Sequence, residues 1–147
     1  MDTGKYEFGK RSLEVRSELH PYLRLIVDHL ITMVDVSLVS GLRDASEQRE
    51  LYSRGASKLC WPTSRHNRTI DAHLSHMEFE LSDAVDIIPY PSGYTDVEQM
   101  VYIIGLARGI ARSHGIEIRC GLDWNGDGKL NNKAGDFFDV CHIELVW

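Results

Sequence analysis

Leu19, Leu23, Ile26, Val27 and Leu30 recur at spacings of three and four, which predicts an amphipathic helix with a single apolar face. Pro21 marks a start or kink in it, because proline lacks the N–H that a helix interior needs. Val34, Val36, Leu38 and Ser40 then alternate with Asp35, Ser37 and Val39, the pattern of a strand ending at Gly41. Residues 46–54 predict a short polar-faced helix stopping at Gly55. Residues 61–82, rich in His, Arg, Asn, Ser and Thr, have no period and predict a long loop. A compact strand follows at 84–88, ending at Pro89. Thr95-Asp96-Val97-Glu98 is a capping box opening a helix whose core face is Met100, Ile103, Ile104, Ala107, Ile110 and Ala111, with Gly115 closing it. Residues 116–120 and 141–146 alternate as strands and are expected to pair with 84–88. The sum predicts an α+β domain, with helices packed on one face of a small, mostly antiparallel sheet.

A length of 147 residues leaves room for one domain over 1–147 with one core, expected to be monomeric. The formal charge of −6 argues against a phosphate-binding surface, so no nucleic-acid partner is expected, and it gives no pull toward an anionic membrane. No apolar run is long enough to insert into a bilayer. Cys60, Cys120 and Cys141 are odd in number and lack Cys-x-x-Cys spacing, so they read as reduced, mostly buried thiols. The first residues carry no basic segment followed by an apolar stretch, hence no signal peptide, and synthesis in the cytoplasm is expected.

The chemistry gathers near the end of the chain. Asp139 and His142 stand three apart before Ile143-Glu144-Leu145, while His66 and Asp86 lie far upstream. Catalytic zinc takes three protein ligands and keeps a fourth position for water, whose pKa it lowers from about 15.7 to roughly 7. His66, Asp86 and His142 can supply the ligands, and Asp139 can take and return the proton. Such a site also wants an arginine to stabilise an oxyanion or hold a substrate carboxylate, and Arg43 at a strand end suits either task.

Several motifs occur in one order: Ser40-Gly41-Leu42-Arg43 with Gln48, Gly55-Ala56-Ser57-Lys58, Ser64-Arg65-His66-Asn67, Ala84-Val85-Asp86-Ile87 with Pro89-Tyr90, Gly121-Leu122-Asp123-Trp124, and Asp139-Val140-Cys141-His142-Ile143-Glu144-Leu145. From about Phe8 to the end, the chain resembles the zinc peptidases that include D-alanyl-D-alanine carboxypeptidases and L-alanyl-D-glutamate endopeptidases, above all single-domain phage endolysins. The resemblance implies His66, Asp86 and His142 as zinc ligands, Asp139 as general base and Arg43 on the substrate or oxyanion. Aspartate at 139, where the carboxypeptidase branch usually has glutamate, resembles the endopeptidase branch. The implied function is hydrolysis of the L-alanyl–D-glutamate bond in peptidoglycan, lysing the bacterial wall from the periplasm after the membrane of the host is permeabilised. One departure stands out. The family's first histidine precedes the aspartate by about seven to nine positions, whereas His66 and Asp86 are twenty apart. Either a loop is inserted near 68–81, or His76 has taken the role, with His73 as a third choice; the Ser-x-His-Asn context favours His66.

Residues 123–131 also fit the opening of a calcium loop, with oxygens from Asp123, Asn125, Asp127 and Asn131 and a glycine at the sixth position. Position twelve is Ala134 rather than glutamate, and Asp136 is the substitute. By resemblance to related endolysins, Ca2+ here would order the cover of the active site. Alternation directs Cys141 away from the His142 face, as a buried structural thiol, and puts Glu144 on that face, to orient a ligand or pair with a surface arginine. Trp124 and Trp147 suit a groove or a packed rim. His20 and His114 carry no special signal. Three other readings share these residues: a D-alanyl-D-alanine dipeptidase or carboxypeptidase, a non-catalytic zinc-fold binding module, and a calcium-controlled interaction protein.

Overall fold

The computed structural model describes residues 4–61, 63–71, 73–74, 80–130 and 139–147. Its elements in chain order are α1 (Lys10–Ser17), α2 (Pro21–Leu30), β1 (Val36–Ser40), α3 (Ala45–Ser53), β2 (Ala84–Pro89), a 3-10 turn at Gly93–Thr95, α4 (Val97–Ser113), β3 (Ile118–Cys120) and β4 (His142–Leu145). The four strands form one antiparallel sheet in the order β1-β2-β4-β3. The fold is α+β. One expected pairing differs: β4 pairs with β2, but β3 pairs with β4 instead, so the C-terminal strand is interior to the sheet.

Local chemistry explains the helices. Pro21 opens α2 at its first position, where its missing N–H is no loss, and His20 caps it, Nδ1 accepting from Tyr22 N–H at 3.0 Å. The cap of α4 is Asp96, one residue later than the sequence pattern suggests, because its carboxylate accepts from Gln99 N–H at 3.3 Å. Gly115, with φ +69°, turns the chain just beyond the end of α4. The helix α1 has no strong apolar stripe and was not anticipated from the sequence. It buries only Ser12 and Val15, and Ser12 Oγ accepts from Leu38 N–H at 3.0 Å, so β1 docks it.

The sheet has two chemically distinct faces. Val85 and Ile87 on β2, with Ile143 and Leu145 on β4, join Leu23, Ile26 and Leu30 of α2 and Ile103, Ile104 and Ala107 of α4 in a continuous core. Because side chains alternate along a strand, Asp86, His142 and Glu144 project from the opposite face. The register sets Asp86 directly across from His142, and Ala84 across from Glu144. Residues leading from the long loop into β2 are tied to the body of the fold. His20 N–H donates to Ser82 O at 2.9 Å, Ser82 N–H to Glu18 O at 2.7 Å, and His20 Nε2–H to Asp71 at 2.8 Å. His20, which carried no special signal, is thus a structural clasp, packed edge-on against Trp147 with ring centroids 5.0 Å apart.

Ile143 is fully buried at the centre of the core. Its replacement by alanine is expected to cost about 2–5 kcal/mol, read as a lower urea midpoint at an unchanged denaturant slope.

Candidate metal centre and catalytic cleft

Three donor atoms from three parts of the chain converge on the polar face of the sheet. Asp86 and His142 meet through the strand register. His66 arrives from the loop, and a network holds it there. Arg43 N–H donates to His66 O at 2.7 Å, and His66 Nδ1–H donates to Gly41 O at 2.7 Å. Asn67 closes a turn by accepting from Ser64 N–H at 3.0 Å, and its amide donates to Gln48 Oε1 at 3.2 Å. Gln48, the buried residue of α3, in turn donates to Ser57 Oγ at 2.8 Å and Leu59 O at 2.6 Å. The helix α3 therefore serves chiefly to anchor the loop that delivers His66.

The hydrogen bonds set which nitrogen of each ring is free. His66 uses Nδ1–H on Gly41 O, leaving Nε2 bare; His142 uses Nε2–H on Glu144 Oε1 at 2.9 Å, leaving Nδ1. His66 Nε2 lies 3.1 Å from His142 Nδ1 and 3.3 Å from Asp86 Oδ1, and the last two atoms are 3.1 Å apart. A tetrahedral ion bound at about 2.0–2.1 Å has ligand atoms about 3.3 Å apart, so the triangle has the size that a small tetrahedral cation needs. Among the described residues, His66, Asp86 and His142 form a group that can hold a metal ion. Asp86 Oδ2 accepts from Arg43 Nη2 at 3.1 Å, so each potential ligand has its remaining polar atom restrained.

Electrostatics agree with a cation's place. Burial lowers the pKa of His66, which keeps the ring neutral. Burial alone would raise Asp86, but the two imidazoles hold it well below the usual carboxylate range. For His142 burial works downward, yet its bonds to Asp86 and Glu144 prevail and push it up to about 9. Without metal, the raised pKa favours a proton between His142 Nδ1 and Asp86 Oδ1, in the space that an ion would take.

Asp139 stands in the same cleft, a space of about 620 Å³ lined among others by Arg43, His66, Trp124, Asp139 and His142. Burial, then the nearby charge of Asp86, raises its pKa, and a carboxylate raised in this way exchanges protons more readily near neutral pH. Gly121 sets its position. Asp139 N–H donates to Gly121 O at 3.2 Å, Gly121 N–H donates to His142 O at 2.9 Å, and a Cβ on Gly121 would fall 2.1 Å from Asp139 O. Only glycine admits that approach. Cys141 is buried as expected, but its thiol donates to Asp139 Oδ1 at 3.4 Å and so also touches the cleft residue. Glu144 touches both kinds of group considered for it, with Oε1 2.9 Å from His142 Nε2 and Oε2 facing Arg65 and Arg119 at 3.7 and 4.0 Å. Trp124 lies against His142 with centroids 5.4 Å apart, whereas Trp147 donates to Asp83 at 2.8 Å, away from the cleft. Tyr94, an isolated tyrosine in a turn for which the sequence gives no signal, has its pKa raised first by partial burial and then by Cys141, Asp86 and Asp139.

His73 is exposed and outside the donor group, and His76 lies outside the described residues. In the calcium-like loop, Asp123 accepts from Asp127 N–H at 3.1 Å, from Gly128 N–H at 2.9 Å and from Arg108 Nη1 at 2.9 Å. Asn125 Oδ1 also accepts from Asp127 N–H at 3.1 Å, while Asp127 Oδ1 accepts from Lys129 N–H at 2.8 Å. Asn131 and Asp136 lie outside the described residues.

A pH dependence of metal affinity follows from His142. Its metal-free pKa is raised to about 9, so below that pH an ion must displace one proton. Zinc affinity is expected to rise roughly tenfold per pH unit between about pH 6 and pH 8, levelling above 9, in competition titrations with a chromophoric chelator. A flat profile would contradict the shared proton.

Known proteins supply a comparison for this geometry. No match was found among curated proteins. Among solved structures, the chain is similar to the Serratia marcescens L-Ala D-Glu endopeptidase ChiX, with a TM-score of 0.69 and 24% identity, covering 97% of this chain and 92% of that one. At that identity the likeness establishes the fold. Residues 4–146 match the family described as phage L-alanyl-D-glutamate peptidase. With nearly its whole length matched, this chain belongs to the phage L-alanyl-D-glutamate peptidase family.

Proposed function

We propose that the protein is a zinc-dependent endolysin, hydrolysing the L-alanyl–D-glutamate bond of peptidoglycan stem peptides. One observation carries the reading: donor atoms of His66, Asp86 and His142 converge at 3.1–3.3 Å beside a half-buried carboxylate, Asp139, in an open cleft. Two imidazoles and one carboxylate are a donor set suited to catalytic zinc. The structural relative from Serratia is itself titled an L-Ala D-Glu endopeptidase, in keeping with the family.

Bound between those atoms, zinc would supply the Lewis acidity that makes water nucleophilic near neutral pH. Asp139 accepts the proton of the water that attacks the alanyl carbonyl, then delivers it to the glutamate nitrogen as the C–N bond breaks. Its raised pKa helps the second step, because a proton held too weakly would not remain for the amine. Arg43, held to Asp86 and lining the cleft, steadies negative charge as it develops on the carbonyl oxygen. The action fits a wall-degrading enzyme reaching the periplasm after membrane permeabilisation, as a monomer with one catalytic domain over residues 1–147. No helix among the described residues is long and apolar enough to cross a membrane.

Calcium is the second component of the proposal, held by Asp123, Asn125, Asp127, Asn131 and Asp136. The described part of the loop supports it: glycine turns at Gly126 (φ +70°) and Gly128 (φ +81°) fold the Asp123, Asn125 and Asp127 side chains together. Arg108 sits on Asp123 and would have to yield, which points to weak, regulatory binding.

With equal zinc loaded, wild type is expected to release peptides with new L-alanine C-termini and D-glutamate N-termini from Gram-negative peptidoglycan, identified by mass. Asp139→Asn should lower that rate by about 10²–10⁴. Absence of cleavage by zinc-loaded wild type, with or without calcium, would sink the assignment. Calcium at millimolar level should raise the melting temperature where magnesium does not, and Asp127→Ala should abolish the difference; an equal response in the variant would exclude this loop as the site.

A further inference from the structure

The cleft is strongly basic in a chain that is not. Arg43, Lys58, Arg65, Arg68 and Arg119 line it, against the carboxylates of Asp139 and Glu144, although the chain carries a formal net charge of −6. Arg43 donates to Asp86 through Nη2 at 3.1 Å. Arg65 and Arg119 are not similarly satisfied. Arg65 Nε and Arg119 Nη1 lie 3.7 Å and 4.0 Å from one oxygen, Glu144 Oε2, both beyond hydrogen-bonding distance. The other oxygen of Glu144 is occupied by His142. One carboxylate thus faces an imidazole and two guanidiniums, whose side chains remain 29% and 44% exposed.

These arginines are placed by the elements that build the metal centre. Arg119 on β3 is the register partner of Glu144 on β4, and Arg65 immediately precedes His66. Glu144 follows His142 by two positions, a separation of about 6.6 Å along a strand. An extended substrate covers that distance in about two residues, each contributing roughly 3.3–3.6 Å. The residue on the leaving side of an L-alanyl–D-glutamate bond is itself an acid. Its peptide continues through one carboxyl group, so the other is free and lies within that reach.

We propose that Arg65 and Arg119 form a subsite for the free carboxylate of the D-glutamyl residue, making that carboxylate a determinant of specificity. This rests on the endopeptidase reading of the same cleft. It also divides the work of the arginines: Arg43 serves the reacting carbonyl, while Arg65 and Arg119 select the acidic residue beyond it. If their task were only to neutralise Glu144, one guanidinium in direct contact would suffice. Two held at a distance leave several N–H donors directed to the cleft, the arrangement in which an arriving carboxylate accepts charge-assisted bonds from both.

The test compares two matched ligand pairs on the zinc-loaded protein. Product peptides beginning with D-glutamate, carrying the free carboxylate or a carboxamide in its place, are measured by calorimetry; the corresponding L-alanyl substrates are measured by KM and kcat. Wild type is expected to favour the carboxylate at least about tenfold in both product Kd and substrate KM. Arg119→Gln, at an exposed position, should bring that preference close to unity, with Arg119→Lys intermediate and zinc content and melting temperature matching wild type. Arg65→Gln should do the same in the product-binding arm. Equal treatment of both ligands by wild type would overturn the subsite while continued cleavage left the endopeptidase standing, as would variants that weaken both ligands equally. Failure of wild type to cleave either substrate would count against the endopeptidase reading, and the product-binding preference would still decide the subsite by itself.

Discussion

The antiparallel register of β2 against β4 is the constraint on which this molecule depends. It sets Asp86 opposite His142 on one face and, by the same alternation, sends Val85, Ile87, Ile143 and Leu145 into the core on the other. A slip of one residue would turn every side chain to the wrong face, burying the carboxylate in the core and exposing the apolar residues. The core and the site therefore enforce each other. Burial of apolar residues under α2 and α4 selects the register, and the register assembles two donors 56 positions apart in sequence.

Burying so many ionisable groups would be costly if they were isolated. Here each group compensates another. Asp86 is held charged by two imidazoles and Arg43, and Glu144 by His142 and then the charges of Arg119 and Arg65, against the burial that opposes both. The same bonds choose the free nitrogen on each ring, so the network that makes the site tolerable also makes it directional. The loop carrying His66 depends on a further layer, in which Gln48 and Asn67 replace the regular backbone pairing that an aperiodic segment lacks.

Net charge proved a poor guide to local field. A formal charge of −6 argues against binding to anionic polymers in general, yet the cleft gathers arginines from the loop and from β3. The two statements are compatible because a field near a surface depends on charges within about a Debye length, roughly 8 Å at physiological salt, and not on their total.

The sequence by itself determined the elements with strong periods or explicit caps: α2 from its spacing of three and four, α4 from its apolar face, β2 and β4 from short alternating runs. It also marked His66, Asp86, Asp139 and His142 as residues with the right chemistry, and the order of their motifs carried the family. It was silent where stability comes from docking. The helix α1 buries only two residues and forms against β1, which no local pattern announces. Only the tertiary structure decided that β3 pairs with β4, that the loop brings His66 to the donor group despite the twenty-residue spacing, that Gly121 must be small beside Asp139, and that Arg65 and Arg119 share one oxygen of Glu144. The physical reason is common to all four. Periodicity records which face of one segment avoids water, whereas pairing and convergence are set by contacts between segments whose relative position no local pattern contains.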